Sequence, residues 1–319
     1  MEIKNYDCDL LIIGGGPAGL TAATYAGRAG LETVILEKIG LGGQIISTGE
    51  IENMPGFLSI TGAELTQRMT EQAAKYGAEI LYDEITHADF GDSKDITQKK
   101  VVTCESTKIS CHAIILAVGA SPRKSGAENE EQFIGNGVHF CALCDGNFYK
   151  GKDVIVVGGG NSAVEEALYL SDIAKNITIV NVTPDFNAQS VLVEKLKTLP
   201  NVKAIYHDHS VVKIISDEAA SMVIAIEIKN RNTGAVKRIP CSGMFVAIGR
   251  SPNTKLLSGA LGLTKGGYIE VNSKLETRIP GVYAAGDCTD KDVRQIVTAC
   301  SDGAIAATHA AEYVKTARK

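Results

Sequence analysis

The sequence predicts an α/β protein of two Rossmann-like nucleotide-binding domains, each of the three-layer ββα kind, with the second inserted in the first. Two copies of one local pattern (strand, glycine turn, helix, strand) carry that prediction. Short late strands that return to the first copy carry the insertion. At 319 residues the chain is long enough for two domains, each with its own core.

In the first copy, Asp9 to Ile13 reads as a buried strand. Gly14-Gly15-Gly16-Pro17-Ala18-Gly19 follows, then a helical stretch from Leu20 to Ala29 and a strand from Thr33 to Leu36 that ends on Glu37. An acid about 20 residues beyond the glycines, after a second strand, completes the dinucleotide fingerprint in its required context. The first glycine makes the tight turn and the second lets a pyrophosphate lie on the backbone. The third lets helix and strand pack, and the helix N-terminus supplies positive potential. Glu37 is expected to accept hydrogen bonds from a ribose.

The second copy runs from a strand at Asp153–Val157 through Gly158-Gly159-Gly160-Asn161-Ser162-Ala163 into a helix ending near Leu170, then a strand at Ile177–Val180. Ala113 to Gly119 and Met244 to Gly249 are similar short strands ending in glycine, and mark the crossings between domains. Thr277 to Asp287 reads as a strand ending in Gly286-Asp287. The expected division is 1–116 plus 245–319 for a discontinuous first domain, and 117–244 for the inserted one. The polar end, Glu312 to Lys319, is expected to fray.

Composition narrows the class. Hydrophobic residues at 45% and charged residues at 22% are ordinary for a globular protein. A net charge of −5 supplies no electrostatic reason to expect nucleic acid or an acidic membrane as partner. No apolar run reaches the roughly 18 residues needed to span a bilayer. The start, Met1 to Asn5, has no signal-peptide layout, so a cytoplasmic location is the expectation.

Eight cysteines in such a chain argue against a disulfide scaffold. Cys8, Cys104, Cys111, Cys241, Cys288 and Cys300 stand apart and read as small core residues. Cys141 and Cys144 share a motif suited to disulfide exchange, since two intervening residues let both sulfurs meet and one thiol ionise near neutral pH. Asp145 adjoins the pair and is the expected proton donor and acceptor. Structural zinc competes, with His139 as a third ligand, but it needs a further ligand pair that the sequence lacks. No metal is expected, and His139 reads as an ordinary loop or strand residue.

These residues together resemble the low-molecular-weight thioredoxin reductases over essentially the whole length. The matching segments are GGGPAG at 14–19, GGQI at 43–46, ENMPG at 52–56, CALCDG at 141–146, GGGNSA at 158–163 and AAGD at 284–287. The resemblance implies FAD in the first domain, a redox-active disulfide on the second, thioredoxin as partner, a homodimer and a rotation of one domain during turnover. By position, it implies that Gly14, Gly16, Pro17, Ala18, Gly19 and Glu37 hold the adenosine and pyrophosphate half of FAD. Gly43, Gln44 and Asn53 would line the flavin side, with Gly119 and Gly286 in the same site. Asp287 would meet the ribityl or phosphate region, and Gln295 and Ile296 the pyrimidine end. Cys144 would face the flavin, Cys141 would attack the thioredoxin disulfide, and Cys144 would resolve the mixed disulfide.

One region departs from the pattern. The family clamps the 2′-phosphate of NADPH with a His-Arg-Arg run and a further arginine after the second unit's last strand. Here the corresponding positions hold Val182, Thr183 and Asn187, none of them cationic. Hydrogen bonds to charged groups contribute roughly 1.5–3 kcal/mol each, so losing two costs about 3–6 kcal/mol, on the order of 10²–10⁴ in affinity. NADH calls for an acid at the strand end, where this chain has Asn181, with Asp185 a substitute in the following loop.

A branch of the family that also lacks the clamp is reduced by ferredoxin. A ferredoxin near roughly −400 mV lies about 130 mV below thioredoxin, about 6 kcal/mol downhill for two electrons. Reduced ferredoxin is therefore the expected donor. An NAD(P)H-dependent enzyme with an atypical pocket is the first alternative, then a flavin-dependent dithiol oxidase, then a non-catalytic redox sensor.

Overall fold

The computed structural model describes residues 3–318 apart from 49, 92–94, 218, 220, 256–258 and 260. The chain forms two compact units, Met1–Ser121 with Ser251–Lys319, and Pro122–Arg250.

The first unit opens with β1 (Lys4–Ile13), α1 (Pro17–Arg28) and β2 (Thr33–Glu37). The short pair β3 (Glu50–Ile51) and β4 (Ile60–Thr61) leads to α2 (Gly62–Lys75). Then come β5 (Glu79–Tyr82), β6 (Ile85–Asp89), β7 (Lys100–Cys104) and β8 (Thr107–Leu116). After the second unit the chain adds β19 (Val282–Ala284) and α6 (Ile296–Ala317). The sheet runs β5-β2-β1-β8-β7-β6, parallel from β5 to β8 and antiparallel beyond. One edge of β8 is shared: β7 pairs with Lys108 to Cys111, and β19 with Ile114 to Leu116. Alternation along β1 divides the core. Leu10 and Ile12 pack with the alanines of α1 and α6, while Leu11 and Ile13 face the opposite side.

The second unit holds β10 (Val138–His139), α3 (Ala142–Asp145), β11 (Asp153–Val157), α4 (Asn161–Ser171) and β12 (Asn176–Val180). It continues with α5 (Ser190–Lys197), β13 (Val202–Tyr206), β14 (His209–Ser216), β15 (Val223–Asn230), β16 (Val236–Pro240) and β17 (Gly243–Val246). The parallel sheet β10-β17-β11-β12-β13 lies between two partners. On one face Ile155 and Val157 pack against the antiparallel sheet β14-β15-β16, through Ile214 and Ile226. On the other, Val154 and Val156 pack against α4 and α5. This is the three-layer ββα arrangement.

Several boundaries differ from the sequence reading. It puts the crossings at 116/117 and 244/245, whereas the units divide at 121/122 and 250/251. The central strands lead on into β9 (Ala120–Pro122) and β18 (Arg250–Pro252), which pair with each other. The strand expected over Thr277 to Asp287 is only β19, because Pro280 and Gly281 turn the chain before it and Gly286 to Cys288 coil into a 3-10 turn. The end of the chain does not fray within the described residues. α6 keeps its apolar face to Ala317, Val314 is fully buried, and Arg318 pairs with Asp9.

Candidate active site

The dithiol motif folds as the head of a helix. Cys141 is the N-cap of α3, and its Sγ accepts from the Cys144 N–H at 3.2 Å. The two cysteines are joined in a disulfide, with Cα atoms 5.3 Å apart. Between them Ala142 is buried against α4 while Leu143 is exposed, so the helix has an anchored side and an open side. A thiolate at Cys141 would keep the Cys144 N–H as a donor, an arrangement that favours ionisation.

Asp145, three residues into the same turn, is held from behind by His139. The imidazole Nδ1 lies 3.2 Å from Asp145 Oδ2, and Nε2 lies 2.7 Å from the Tyr149 hydroxyl. His139 is buried at 5% exposure and stacks on Phe245. Burial pushes the Tyr149 phenol up to about 12, so it keeps its proton and can donate to Nε2. The ring proton then sits on Nδ1, facing the carboxyl group. His139 is thus a strand residue with a task that sequence reading does not assign. Its one signal was closeness in sequence to Cys141 and Asp145. Tyr149 carried none.

The other thiols are poor nucleophiles by environment. Cys8, Cys104, Cys111, Cys241 and Cys288 are buried, and burial pushes Cys241 and Cys288 up to about 12. Cys300 is partly buried and is pushed up as well. Among the described residues no cluster of three His, Cys, Asp or Glu is arranged for a metal ion, and no helix is long and apolar enough to cross a membrane.

In the first unit the glycine turn has two characters. Gly14 is tight: its φ is +108°, and a Cβ there would stand 2.3 Å from the Ala117 carbonyl oxygen. Gly19 is closed in the same way, 1.9 Å from the Gly14 carbonyl oxygen. Gly16 is open, since a Cβ there would meet nothing within 4 Å. It caps α1 without a side-chain bond, and Pro17 begins the helix, leaving unpaired N–H groups at an uncluttered surface. Glu37 ends β2 with its carboxylate accepting from the N–H groups of Gly15, Lys38 and Ile39, which aims it beside the turn and leaves lone-pair capacity.

Of the other singled-out residues, Gly43 and Gly286 approach this turn. A Cβ on Gly43 would lie 3.4 Å from Gly16 Cα, and one on Gly286 would lie 2.9 Å from Ala18 Cβ. Asn53 Nδ2 donates to Gln295 Oε1 at 3.1 Å, across 242 residues of sequence. Gln44 Nε2 donates to the Ala120 carbonyl at 2.6 Å, next to Gly119, whose own carbonyl accepts from Asn253. Gln295 and Thr298 form a capping box at the head of α6, and Ile296 packs with Ile45, Ile51 and Leu65. Asp287 lies in the 3-10 turn after β19. An open helix N-terminus with an acid aimed beside it fits a dinucleotide of the FAD kind.

In the second unit the turn is occupied from below. Asn181 is 2% exposed, and a Cβ on Gly159 would strike its amide at 2.4 Å. Its Nδ2 donates to the Asp185 carbonyl, and its Oδ1 accepts from the Thr183 N–H and hydroxyl. Asn187 N–H donates to the Gly159 carbonyl at 2.7 Å, and Gln189 N–H to Asn161 Oδ1. The strand-end amide is therefore spent on folding its own loop.

A disulfide at a helix head with a held carboxyl group beside it suits dithiol–disulfide exchange, and with the two nucleotide folds it defines a class: nucleotide-fold disulfide oxidoreductases. Comparison with known proteins narrows this. A family model described as pyridine nucleotide-disulphide oxidoreductase matches residues 8–303. The chain is 42% identical over 315 residues to a thioredoxin reductase of Bacillus subtilis, covering 98% of this chain and 96% of that one. It is likewise 42% identical over 306 residues to a Clostridium pasteurianum protein described as a 34.2 kDa protein in rubredoxin operon, covering 96% and 97%. Among solved structures it matches a thioredoxin reductase of Streptococcus pyogenes with TM-score 0.90 and 36% identity, over 98% and 100% of the two chains. It also matches a ferredoxin-flavin thioredoxin reductase of Clostridium acetobutylicum with TM-score 0.52 and 29% identity, over 98% and 99%. The chain belongs to the low-molecular-weight thioredoxin reductases within that family. It is a thioredoxin reductase-like flavoenzyme, and its cofactor is FAD.

Proposed function

We propose that the chain reduces thioredoxin, as a homodimer, with electrons from reduced ferredoxin. The observation that carries the donor half is the loop after β12. No cation stands at Val182, Thr183 or Asn187, and the Asn181 amide is consumed inside the loop. A nucleotide 2′-phosphate would meet no charge from these positions, and a 2′-hydroxyl would meet no free acceptor at the strand end. The similar Clostridium acetobutylicum structure supports the same reading, since its description names ferredoxin.

Bound FAD supplies a carrier that accepts electrons singly and delivers them in pairs. Gly14, Gly16, Pro17, Ala18 and Gly19 would hold its pyrophosphate by backbone approach, and Glu37 its ribose. Gly43, Gln44, Asn53, Gly119, Gly286, Asp287, Gln295 and Ile296 would hold the remainder. At the outlet, Cys144 receives the electrons and Cys141 attacks the thioredoxin disulfide. Asp145, steadied by His139, moves the proton at the sulfurs. Exposed Leu143 and Phe148 offer apolar surface beside the disulfide for a partner protein.

One observation favours a second reading, an NAD(P)H-dependent enzyme with an atypical pocket. The Arg231 guanidinium donates to the Val182 carbonyl at 2.8 Å, bringing a cation to the loop from a distant turn. Anaerobic mixing of enzyme and thioredoxin with NADPH, NADH or reduced ferredoxin separates the two. Rapid thioredoxin reduction with ferredoxin alone is the expected result, and rapid flavin reduction by micromolar NADPH would sink it.

A further inference from the structure

Behind the dithiol helix lies a carboxyl group that this reaction scheme leaves unused. Glu166 stands on α4 and accepts the N–H of Ala142, the residue that follows Cys141. Its Oε2 is buried without a hydrogen-bond partner. The charged groups facing it are Asp145, from α3, and Arg250, from β18. Asp145 in turn faces His139, with Tyr149 beyond. The other elements packed on α4 turn apolar residues toward it, Val154 and Val156 from β11, Ile177 and Ile179 from β12, and Val193 and Leu196 from α5. On α5, Glu194, Lys195 and Lys197 are exposed, while Asp153 on β11 is bonded to Asn176. An anion with one oxygen unserved in such a place is costly. Burial pushes Glu166 up to about 7.

We propose that Glu166 is a positioning residue of the disulfide centre, anchoring the head of α3 through Ala142 and taking up a proton when the Cys141–Cys144 bond opens. Two electrons break the S–S bond. One proton makes one sulfur a thiol while the other sulfur remains a thiolate. A second proton converts the Glu166 carboxylate to the acid, so two electrons and two protons enter and the local charge is unchanged. The driving force is the new thiolate, because a nearby anion raises the proton affinity of a carboxylate. When the Cys141 thiolate attacks a substrate disulfide, the new S–S bond forms as the substrate's breaks, and the Glu166 proton passes to the thiolate that departs.

The inference rests on the disulfide chemistry of the family and on neither the donor nor thioredoxin. Its test uses dithiothreitol, so failure would leave the proposed function standing. Glu166→Gln keeps an oxygen for Ala142 and cannot titrate. Holoenzyme would be equilibrated with dithiothreitol from about pH 6 to about pH 9, and the open dithiol counted by alkylation and mass. Just above neutrality the unaltered enzyme should shift its reduction equilibrium about tenfold more per pH unit than E166Q, the mark of one extra proton. Superimposable profiles would overturn the proposal. Glu166→Asp keeps the charge but is too short for Ala142. It should retain the extra pH dependence while Cys141 is alkylated several-fold more slowly, and unchanged alkylation would remove the anchoring role. Should the variants fold poorly, proton uptake by the unaltered enzyme decides. About two protons per disulfide reduced, after correction for the reductant, is expected near pH 7.5, and one would refute it.

Discussion

His139 joins Asp145 to Tyr149, Nδ1 lying 3.2 Å from the carboxyl oxygen and Nε2 2.7 Å from the phenol. A carboxyl group beside a disulfide can transfer protons only if its oxygen points at the sulfurs when needed, and a ring locked at both nitrogens fixes that orientation. Tyr149→Phe removes the donor to Nε2 and releases the tautomer. Loss of one net hydrogen bond, about 1 kcal/mol, should lower kcat for thioredoxin reduction about fivefold with flavin content unchanged. An unaltered kcat would mean that the ring does not orient Asp145.

The two sulfurs should separate cleanly by substitution. Cys144→Ser is expected to abolish electron flow to thioredoxin, because the sulfur proposed to receive the electrons is gone. Cys141→Ser should also stop turnover while leaving Cys144 to perturb the flavin absorbance. Full turnover by Cys144→Ser would reverse the assignment.

How much of this was legible in the sequence follows from how local each signal is. The glycine turns, Glu37 and the Cys141–Cys144 pair each declare themselves within about 20 residues, and the family motifs extended that to Asn53 and Gln295. The Asn53–Gln295 bond itself joins positions 242 residues apart, and no spacing rule reaches so far. His139 looked ordinary because its role comes from Tyr149 and Phe245, which only the fold brings to it. Glu166 was hidden by its setting. In the sequence it is one of two glutamates on an amphipathic helix, and only the burial of its Oε2 distinguishes it from exposed Glu165. The tail from Glu312 reads as frayed on polarity alone, whereas Val314 and Ala317 continue the apolar face of α6.

Glu166 also makes a stability prediction with a definite sign. Its value is about 7 in the folded protein against 4.5 for the free group, so between those values the folded state holds a proton that the unfolded chain has lost. The contribution is therefore full below about pH 4.5, falls as pH rises toward 7 and is flat above, by at most about 3 kcal/mol. Urea midpoints of the oxidised protein should fall over that window relative to those of Glu166→Gln. Parallel curves for the two proteins would show that the carboxyl group ionises as freely folded as unfolded.

Two glycines of the first turn should respond in opposite ways. Gly14→Ala puts a methyl into the Ala117 carbonyl at a φ of +108°, so the fold itself should weaken by about 1–3 kcal/mol. Gly16→Ala meets no protein atom, and its φ of −79° suits any residue. It should fold and melt normally yet lose FAD, because the methyl fills the space at the helix N-terminus where a pyrophosphate would lie. Melting of the apoprotein and flavin absorbance read the two effects separately. Normal FAD retention in Gly16→Ala would move the pyrophosphate elsewhere.

The donor reading can be tested by building what the chain lacks. Val182 and Asn187 are exposed, so arginines there need no repacking. Thr183 is best left alone, since its hydroxyl bonds both Asn181 and the Asp185 carbonyl. Two restored charge-assisted bonds at roughly 1.5–3 kcal/mol each should tighten NADPH by about 10²–10⁴ in Val182→Arg/Asn187→Arg. Anaerobic titration of flavin reduction with NADPH measures the gain directly. If the double variant binds NADPH no better than its parent, the missing clamp is not what excludes the nucleotide, and the case for ferredoxin loses its main support.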